Sequence, residues 1–410
     1  MSESEADVPR VFRPARALPT DVVRPTRAVV DLDSLRHNLH LLRGAAPGVA
    51  IWGVVKADAY GHGAKAVART LERAGIDGLC VALVEEGVEL REAGVTAPIL
   101  VMGGYYGNAY SELVHHRLTV VLQSEGELEA LADAVRRSDG APLEAHLKVD
   151  TGMGRLGERR ENWDRWAARL RDRPEIIFDG LMTHLATADR PSTGNAPEQL
   201  RNFEGATAIF KRHGLVPRAR HAENSAALLG DHPHYDLARP GILLYGVSPF
   251  SDGELPASEA SRALLRRLRP AMSVKSRIVS LRVLDAGDPV GYGSAFRARR
   301  RSLIATVPMG YADGLSRALS NNGELLVRGR RAPIAGVVSM DMTMIDVTDI
   351  PGAALGDEVT LLGGRAAPES GEGTHAFEIG ATELAARAGT IPWEILTNIS
   401  RRVPRFYRGA

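Results

Sequence analysis

The chain has 410 residues, 44% of them hydrophobic and 25% charged, with a formal net charge of +1. That is the composition of a soluble globular protein of two domains, or of one large barrel with a smaller module. So small a charge gives no long-range pull toward nucleic acid or an anionic membrane. The single cysteine, Cys80, excludes an intrachain disulfide, and no stretch approaches the ~20 apolar residues of a membrane span.

Residues 1–25 are acidic, then rich in Arg and Pro, without the apolar run of a signal peptide. They read as a partly disordered arm, and a cytoplasmic protein is expected. A strand over 29–33 follows, leading through Ser34 as helix cap into a helix over 35–42. Which domain that strand joins is left open at this point. From about residue 50 to 246 short apolar runs alternate with amphipathic helical stretches. The runs cover 51–56, 78–83, 99–103, 118–123, 143–149, 178–184, 219–224 and 241–246; helices are expected over 64–74, 85–93, 125–136, 161–171 and 197–213. Near-continuous apolar strands separated by helices predict a parallel sheet covered on both faces. Eight such units fit a (β/α)8 barrel better than an open sheet, which would carry a Gly-rich fingerprint after its first strand. A Pro-, Ser- and Asp-containing loop over 247–259 and a basic helix over 260–268 close this half. Strands at 272–283, 303–307, 325–327, 335–338, 343–347 and 358–362, with a helix over 376–388, then describe a mostly β domain. The division expected is an arm at 1–25, a barrel at 26–266 and a β-rich domain at 267–410.

In a parallel barrel the chemistry sits at the C-terminal ends of the strands. The first ends Val54-Val-Lys56-Ala-Asp-Ala-Tyr60-Gly-His-Gly63. A lysine there is desolvated and nucleophilic toward carbonyls; the alternative is a lysine paired with a carboxylate such as Asp58. The fifth ends His146-Leu-Lys148-Val-Asp150, followed by Arg155, so two lysines and an arginine share one mouth and require anions. The sixth ends at Thr183-His184. The seventh ends at Asn224-Ser225, and Arg239-Pro-Gly241-Ile242 precedes the eighth. The Ser225 hydroxyl and the amides of Gly241 and Ile242 make a phosphate cup where barrels commonly hold one. An amine facing such a cup is the layout of a phosphorylated aldehyde held as a Schiff base.

These residues closely resemble the alanine racemases. The lysine motif Val55-Lys56-Ala-Asp-Ala-Tyr60-Gly-His-Gly63 matches that family's signature. In order come Lys148-Val-Asp-Thr-Gly-Met-Gly-Arg155, Thr183-His184, His221-Ala-Glu-Asn224-Ser225, Arg239-Pro-Gly241-Ile242, Val290-Gly-Tyr292-Gly, Gly310-Tyr311-Ala-Asp-Gly314, Met340-Asp341 and Arg402-Val-Pro-Arg405, spanning about 26 to 406. The resemblance implies an isomerase using pyridoxal 5'-phosphate and no metal. Lys56 carries the cofactor and acts as one base; Tyr292, reaching the partner's site in a homodimer, is the other. Tyr60, His184, Asn224, Ser225, Arg239, Gly241, Ile242 and the position of Trp393 bind cofactor. Arg155, the Met340 amide, Asp341 and Tyr311 contact substrate. Lys148 is the site of a carbamylation that turns a cation into an anion beside Arg155. A cytoplasmic supply of D-alanine for peptidoglycan is the implied role, with neither nucleic acid nor membrane as partner.

Three positions depart from the pattern. Trp393 stands where the family has a Tyr whose hydroxyl helps hold the phosphate; an indole N–H donates from a different position. Glu223 stands where a small residue is expected, and Ser339 where Cys is frequent. Drift with ordinary alanine racemisation is one reading; specificity for another amino acid, such as serine or a specialised-pathway substrate, is the other. A decarboxylase of the same two-domain plan would carry a Cys motif in its second domain, which this chain lacks. Small proteins that bind the cofactor with weak turnover have no second domain.

Overall fold

The computed structural model describes residues 23–103, 109–138, 140–250, 253–364 and 378–409. The expected arm therefore lies almost wholly outside the described residues, as do two positions of the 247–259 loop and the start of the helix expected at 376.

Strands β1 (Arg27–Asp31), β2 (Ala50–Val54), β3 (Gly78–Val81), β4 (Ile99–Val101), β5 (Thr119–Leu122), β6 (Leu143–Lys148), β7 (Ile176–Met182), β8 (Ala219–His221) and β9 (Leu237–Ala238) occupy the first half. All but β1 form one parallel sheet in the order β8-β7-β6-β5-β4-β3-β2-β9. The ring closes between β8 and β9 without a full ladder: Asp236 N–H donates to Arg220 O (3.1 Å) and Arg239 N–H to Glu223 O (2.9 Å). The outer helices bury one apolar face each. In Ala64–Arg73 that face is Val67, Ala68 and Leu71, and in Trp163–Arg171 it is Trp163, Trp166, Ala167 and Leu170, as a 3.6-residue period requires.

The expected eighth strand at 241–246 is corrected. Leu237–Ala238 is the strand, and the following residues coil in tight turns, with Leu244 N–H bonded to Gly241 O and Tyr245 N–H to Ile242 O. Pro240 cannot donate to a ladder, and a buried apolar run reads alike as strand or coil. A helix at Ala109–His115 also went unforeseen.

The second half holds β10 (Met272–Arg277), β11 (Ser280–Leu284), β12 (Pro289–Val290), β13 (Phe296–Arg297), β14 (Ser302–Val307), β15 (Glu324–Val327), β16 (Arg330–Pro333), β17 (Thr343–Asp346), β18 (Glu358–Gly364), β19 (Glu378–Ile379) and β20 (Arg405–Arg408). Their main sheet runs β16-β15-β18-β10-β1-β20. Strand β1 thus joins the β-rich half, antiparallel to β10 and parallel to β20, with Ala28 and Val30 turned inward. Asp31, rather than Ser34, caps the helix that follows, accepting from the N–H groups of Asp33 and Ser34. The strand expected at 335–338 lies earlier, in β16. Arg328 and Gly329 both take positive φ (51° and 73°) in the two-residue turn of the β15–β16 hairpin, the geometry that matches strand twist. The charged Gly-Arg-Arg stretch masks that strand in the sequence. Two further elements, the helix Pro392–Thr397 and β20, return the chain to the barrel.

Candidate active site

Lys56 opens a short turn at the end of β2 whose backbone is left-handed. Ala57, Asp58, Ala59 and Tyr60 have φ of 54°, 53°, 54° and 52°, a conformation that costs L-residues roughly 1–2 kcal/mol each. Many partners hold it. Ala57 N–H donates to Glu86 Oε1 (2.6 Å), whose Oε2 also accepts from Ala82 N–H (2.8 Å). Gly63 N–H donates to Asp58 O (2.9 Å) and Ala64 N–H to Asp58 Oδ1 (2.8 Å). The His62 Nδ1–H points at the carbonyls of Ala59 and Tyr60. From the C-terminal segment, Arg405 Nε–H donates to Gly61 O (2.9 Å) and the Tyr407 hydroxyl to His62 O (3.2 Å). A Cβ at Gly63 would fall on that hydroxyl. Backbone strain this well supported is characteristic of functional sites.

The mouth is electropositive. Burial, then the Arg155 guanidinium, lower the Lys56 amine below the usual lysine range, with Glu86 opposing. Lys148 is buried, and burial, Arg155, Arg239 and Lys56 bring it down to about 8 against the pull of Asp150. Neither lysine forms an ion pair with a carboxylate among the described residues, so the pairing of Lys56 with Asp58 is not adopted. Asp150 instead accepts from the N–H groups of Gly152, Met153 and Gly154, shaping the turn that presents Arg155. His184 feels the same cations; burial and Arg239 push it well below the ordinary imidazole value.

Behind this surface lies a relay that sequence reasoning missed. Buried Arg239 donates to Thr183 O (2.9 Å) and to His221 Nδ1. His221 Nε2 meets His146 Nδ1 at 2.8 Å, and His146 Nε2 meets Asp179 Oδ2 at 3.1 Å. A guanidinium can only donate and a carboxylate can only accept, so both tautomers are fixed: each Nδ1 is an acceptor and each Nε2 carries the proton. Burial and Arg239 keep His221 neutral, well below its usual pKa. The three partners sit on β6, β7 and β8, adjacent only once the barrel closes. The available clue was a His, an Asp and a His inside apolar runs.

The expected cup is assembled around Gly241. A Cβ there would lie 2.3 Å from Tyr60 Oη, so only glycine admits the hydroxyl. The Gly241 N–H donates to Ser225 Oγ (2.8 Å), leaving the Ser225 proton free to donate outward; glycine's part is space and positioning of the serine. The Ile242 N–H has no protein acceptor among the described residues. Asn224 caps the helix Ser225–Leu228 by accepting from Ala227 N–H (3.0 Å), so it acts by placing Ser225. Trp393 joins the same group: burial raises the Tyr60 phenol, and the Trp393 indole N–H acts on its oxygen in the opposite sense.

The remaining expected residues stand in the β-rich half. Tyr292 is 74% exposed between two left-handed glycines, Gly291 and Gly293, and no hydrogen bond joins it to the barrel mouth among the described residues. Tyr311 and Met340 lie side by side: Tyr311 N–H donates to Ser339 O and Ala312 N–H to Met340 O, and a Cβ at Gly310 would strike Ser339 O at 2.2 Å. Tyr311, Met340 and Met342 are exposed large apolar side chains, as Tyr292 is. Asp341 is held by Arg402 (2.6 Å), which also binds buried Asp313 (2.9 Å); its engagement is with this ion-pair network.

Family models for the alanine racemase N-terminal and C-terminal domains match residues 30–249 and 271–407. An alanine racemase of Sorangium cellulosum is 54% identical over 393 residues, 94% of this chain and 100% of that one. One of Geobacter sulfurreducens is 42% identical over 389 residues, covering 94% and 97%. Among solved structures, the alanine racemase from D-cycloserine-producing Streptomyces lavendulae superposes with a TM-score of 0.86 at 33% identity, covering 95% of this chain and 98% of that one.

Proposed function

This chain belongs to the alanine racemase family, and from that premise we propose that it interconverts L- and D-alanine with pyridoxal 5'-phosphate, using Lys56 and the partner subunit's Tyr292 as its two bases. The observation that carries this reading is the Lys56 turn. One strained segment delivers an amine with a depressed pKa and, four residues on, a hydroxyl set against Gly241.

The donor set fits the cofactor. Tyr60, Ser225 and the Ile242 amide offer donors for a phosphate, and Gly241 leaves the room a larger residue would fill. At the other side of the mouth Arg239, oriented by the Asp179–His146–His221 relay, would face the pyridine nitrogen. A guanidinium keeps its proton, so Arg239 would donate a hydrogen bond to that nitrogen without protonating it. When bound, the cofactor withdraws electrons and so acidifies the Cα–H of an amino acid joined to its aldehyde carbon. Lys56 Nζ, its basicity lowered by burial and by Arg155, would exchange the Cα proton on one face. The partner's Tyr292 Oη exchanges it on the other, so inversion needs no single group to cross the ring. Arg155 and the Met340 amide would bind the substrate carboxylate. The exposed Tyr292, Tyr311, Met340 and Met342 are the surface such a dimer would cover.

Lys148 forms no ion pair with a carboxylate among the described residues, although Asp150 is near enough to act on it. An amine near pKa 8 has about a tenth of its population neutral at pH 7, and that fraction reacts with carbon dioxide to give a carbamate and a proton. The resulting anion would pair with Arg155.

The test is solvent deuterium incorporation at Cα across a panel of L-amino acids. Incorporation with inversion, fastest for alanine, is expected. Incorporation with carbon dioxide release, or a clear preference for another amino acid, contradicts the substrate assignment.

A further inference from the structure

At the barrel seam, between the end of β8 and the start of β9, lies a second polar cluster that the reading above does not use. We propose that Glu223, His232 and His234 bind one divalent transition-metal cation of the zinc class. Their donor atoms all lie within 4.8 Å of one another. Glu223 is fully buried, and its carboxylate is aimed by two backbone amides, Tyr235 N–H on Oε1 (2.9 Å) and Ala222 N–H on Oε2 (3.3 Å). His232 Nδ1 faces the carbonyl of Pro233 at 3.2 Å. A carbonyl only accepts, so Nδ1 carries the proton and Nε2 presents its lone pair. That Nε2 is buried with no hydrogen-bond partner, and so is Nδ1 of His234. The latter stands 3.7 Å from Glu223 Oε1, too far for a hydrogen bond.

Two buried imidazole nitrogens and a buried carboxylate converging on one point, each without a hydrogen bond to the others, are a ligand set. Zinc takes imidazole nitrogen and carboxylate oxygen at about 2.0–2.2 Å in tetrahedral geometry, so the donors must close to roughly 3.3 Å apart. The histidines are only partly buried, and they sit two residues apart around Pro233, whose fixed φ limits the freedom of the segment. The donor set suits the ion: one carboxylate oxygen and two imidazole nitrogens, with the fourth position left to water. Imidazole and carboxylate donors favour zinc over manganese or iron(II) in the general affinity order, and disfavour magnesium.

The location assigns the role. Glu223 follows β8, and the histidines precede β9, where ring closure rests on two isolated hydrogen bonds, one of them accepted by Glu223 O. A cation here ties the two sides of the seam and steadies Asn224 and Ser225. It touches no reacting atom, so the role is structural.

Tag-free holoenzyme freed of metal with a chelator is titrated with Zn2+ by calorimetry and with Co2+ by visible absorption. One equivalent per chain is expected, with an intense tetrahedral-type Co2+ band and a melting temperature that rises until that equivalent is filled. His232→Asn and His234→Asn each weaken it at least about 100-fold, with cofactor absorbance and racemisation by the metal-free protein unchanged. X-ray absorption on the wild-type zinc form, which needs no variant, should count two imidazoles in the first shell. Absence of saturable binding, an equivalent that persists in both histidine variants, or a first shell lacking two imidazoles overturns the proposal.

Discussion

The lysine turn and the tyrosine tip are built on opposite principles. Lys56 opens four left-handed residues that Glu86, Asp58, His62, Arg405 and Tyr407 hold from every side. Its basicity is lowered by burial and Arg155 within one chain. Tyr292 is 74% exposed on a glycine-flanked tip, and among the described residues none of its own chain holds its hydroxyl. On the proposed reading, one base is finished when the chain folds and the other only when a second chain arrives. The comparison teaches what the proposed reading requires of Tyr292: a catalytic group without any local sign of it, because its surroundings belong to another molecule.

The comparison breaks most sharply at Lys56. On the proposed reading Lys56→Ala removes both the cofactor's covalent anchor and a base, so racemisation should fall by at least about 10⁴-fold, with loss of the bound-cofactor absorbance. Retained turnover above that level would remove Lys56 from the mechanism. Tyr292→Phe should cost about 10²–10⁴-fold in kcat while the absorbance stays, because the proposed cofactor donors all lie in the barrel half and at Trp393, apart from the tip. A parallel loss of cofactor would mean that Tyr292 is part of its pocket.

The turn itself is sharpened by acid. His62 is fully buried, and burial pushes it down to about 4. The native imidazole stays neutral while the unfolded one takes up a proton below about pH 6.5. Stability is therefore unaffected above pH 6.5, falls as pH drops toward 4, and levels off below; His62 contributes about 3 kcal/mol of that loss. Denaturant melts at stepped pH should show the slope, and His62→Asn should flatten it. An unchanged slope would place the acid sensitivity elsewhere.

The smallest effect is expected at Trp393. Trp393→Phe removes an indole N–H acting on Tyr60, worth about one hydrogen bond, so cofactor affinity should weaken by about 3- to 10-fold. Trp393→Tyr should restore it or shift the amino-acid preference. If both variants titrate with cofactor as wild type does, this tryptophan is drift.

What the sequence made legible follows from the same contrast. Lys56, Lys148, Ser225 and Arg239 stood out as polar residues ending apolar runs, and the barrel with its β-rich companion followed from strand–helix alternation. The Asp179–His146–His221 relay did not stand out, because its members meet only across β7, β6 and β8. The seam was misplaced for a related reason: the burial of Ile242 to Tyr245 is plain in their composition, whereas their coiling depends on Pro240 and the turn after it. The hold of Arg405 and Tyr407 on the lysine turn was equally hidden, some 340 residues away in the chain.

Mixing the Lys56→Ala and Tyr292→Phe homodimers, each nearly inactive, tests the shared site most directly. After subunit exchange every heterodimer holds one site with an intact Lys56 and an intact partner Tyr292, and one site with neither. An equal mixture should therefore recover about a quarter of wild-type activity. If subunits demonstrably exchange and activity stays at the level of the separate variants, both bases come from one chain and the account is contradicted.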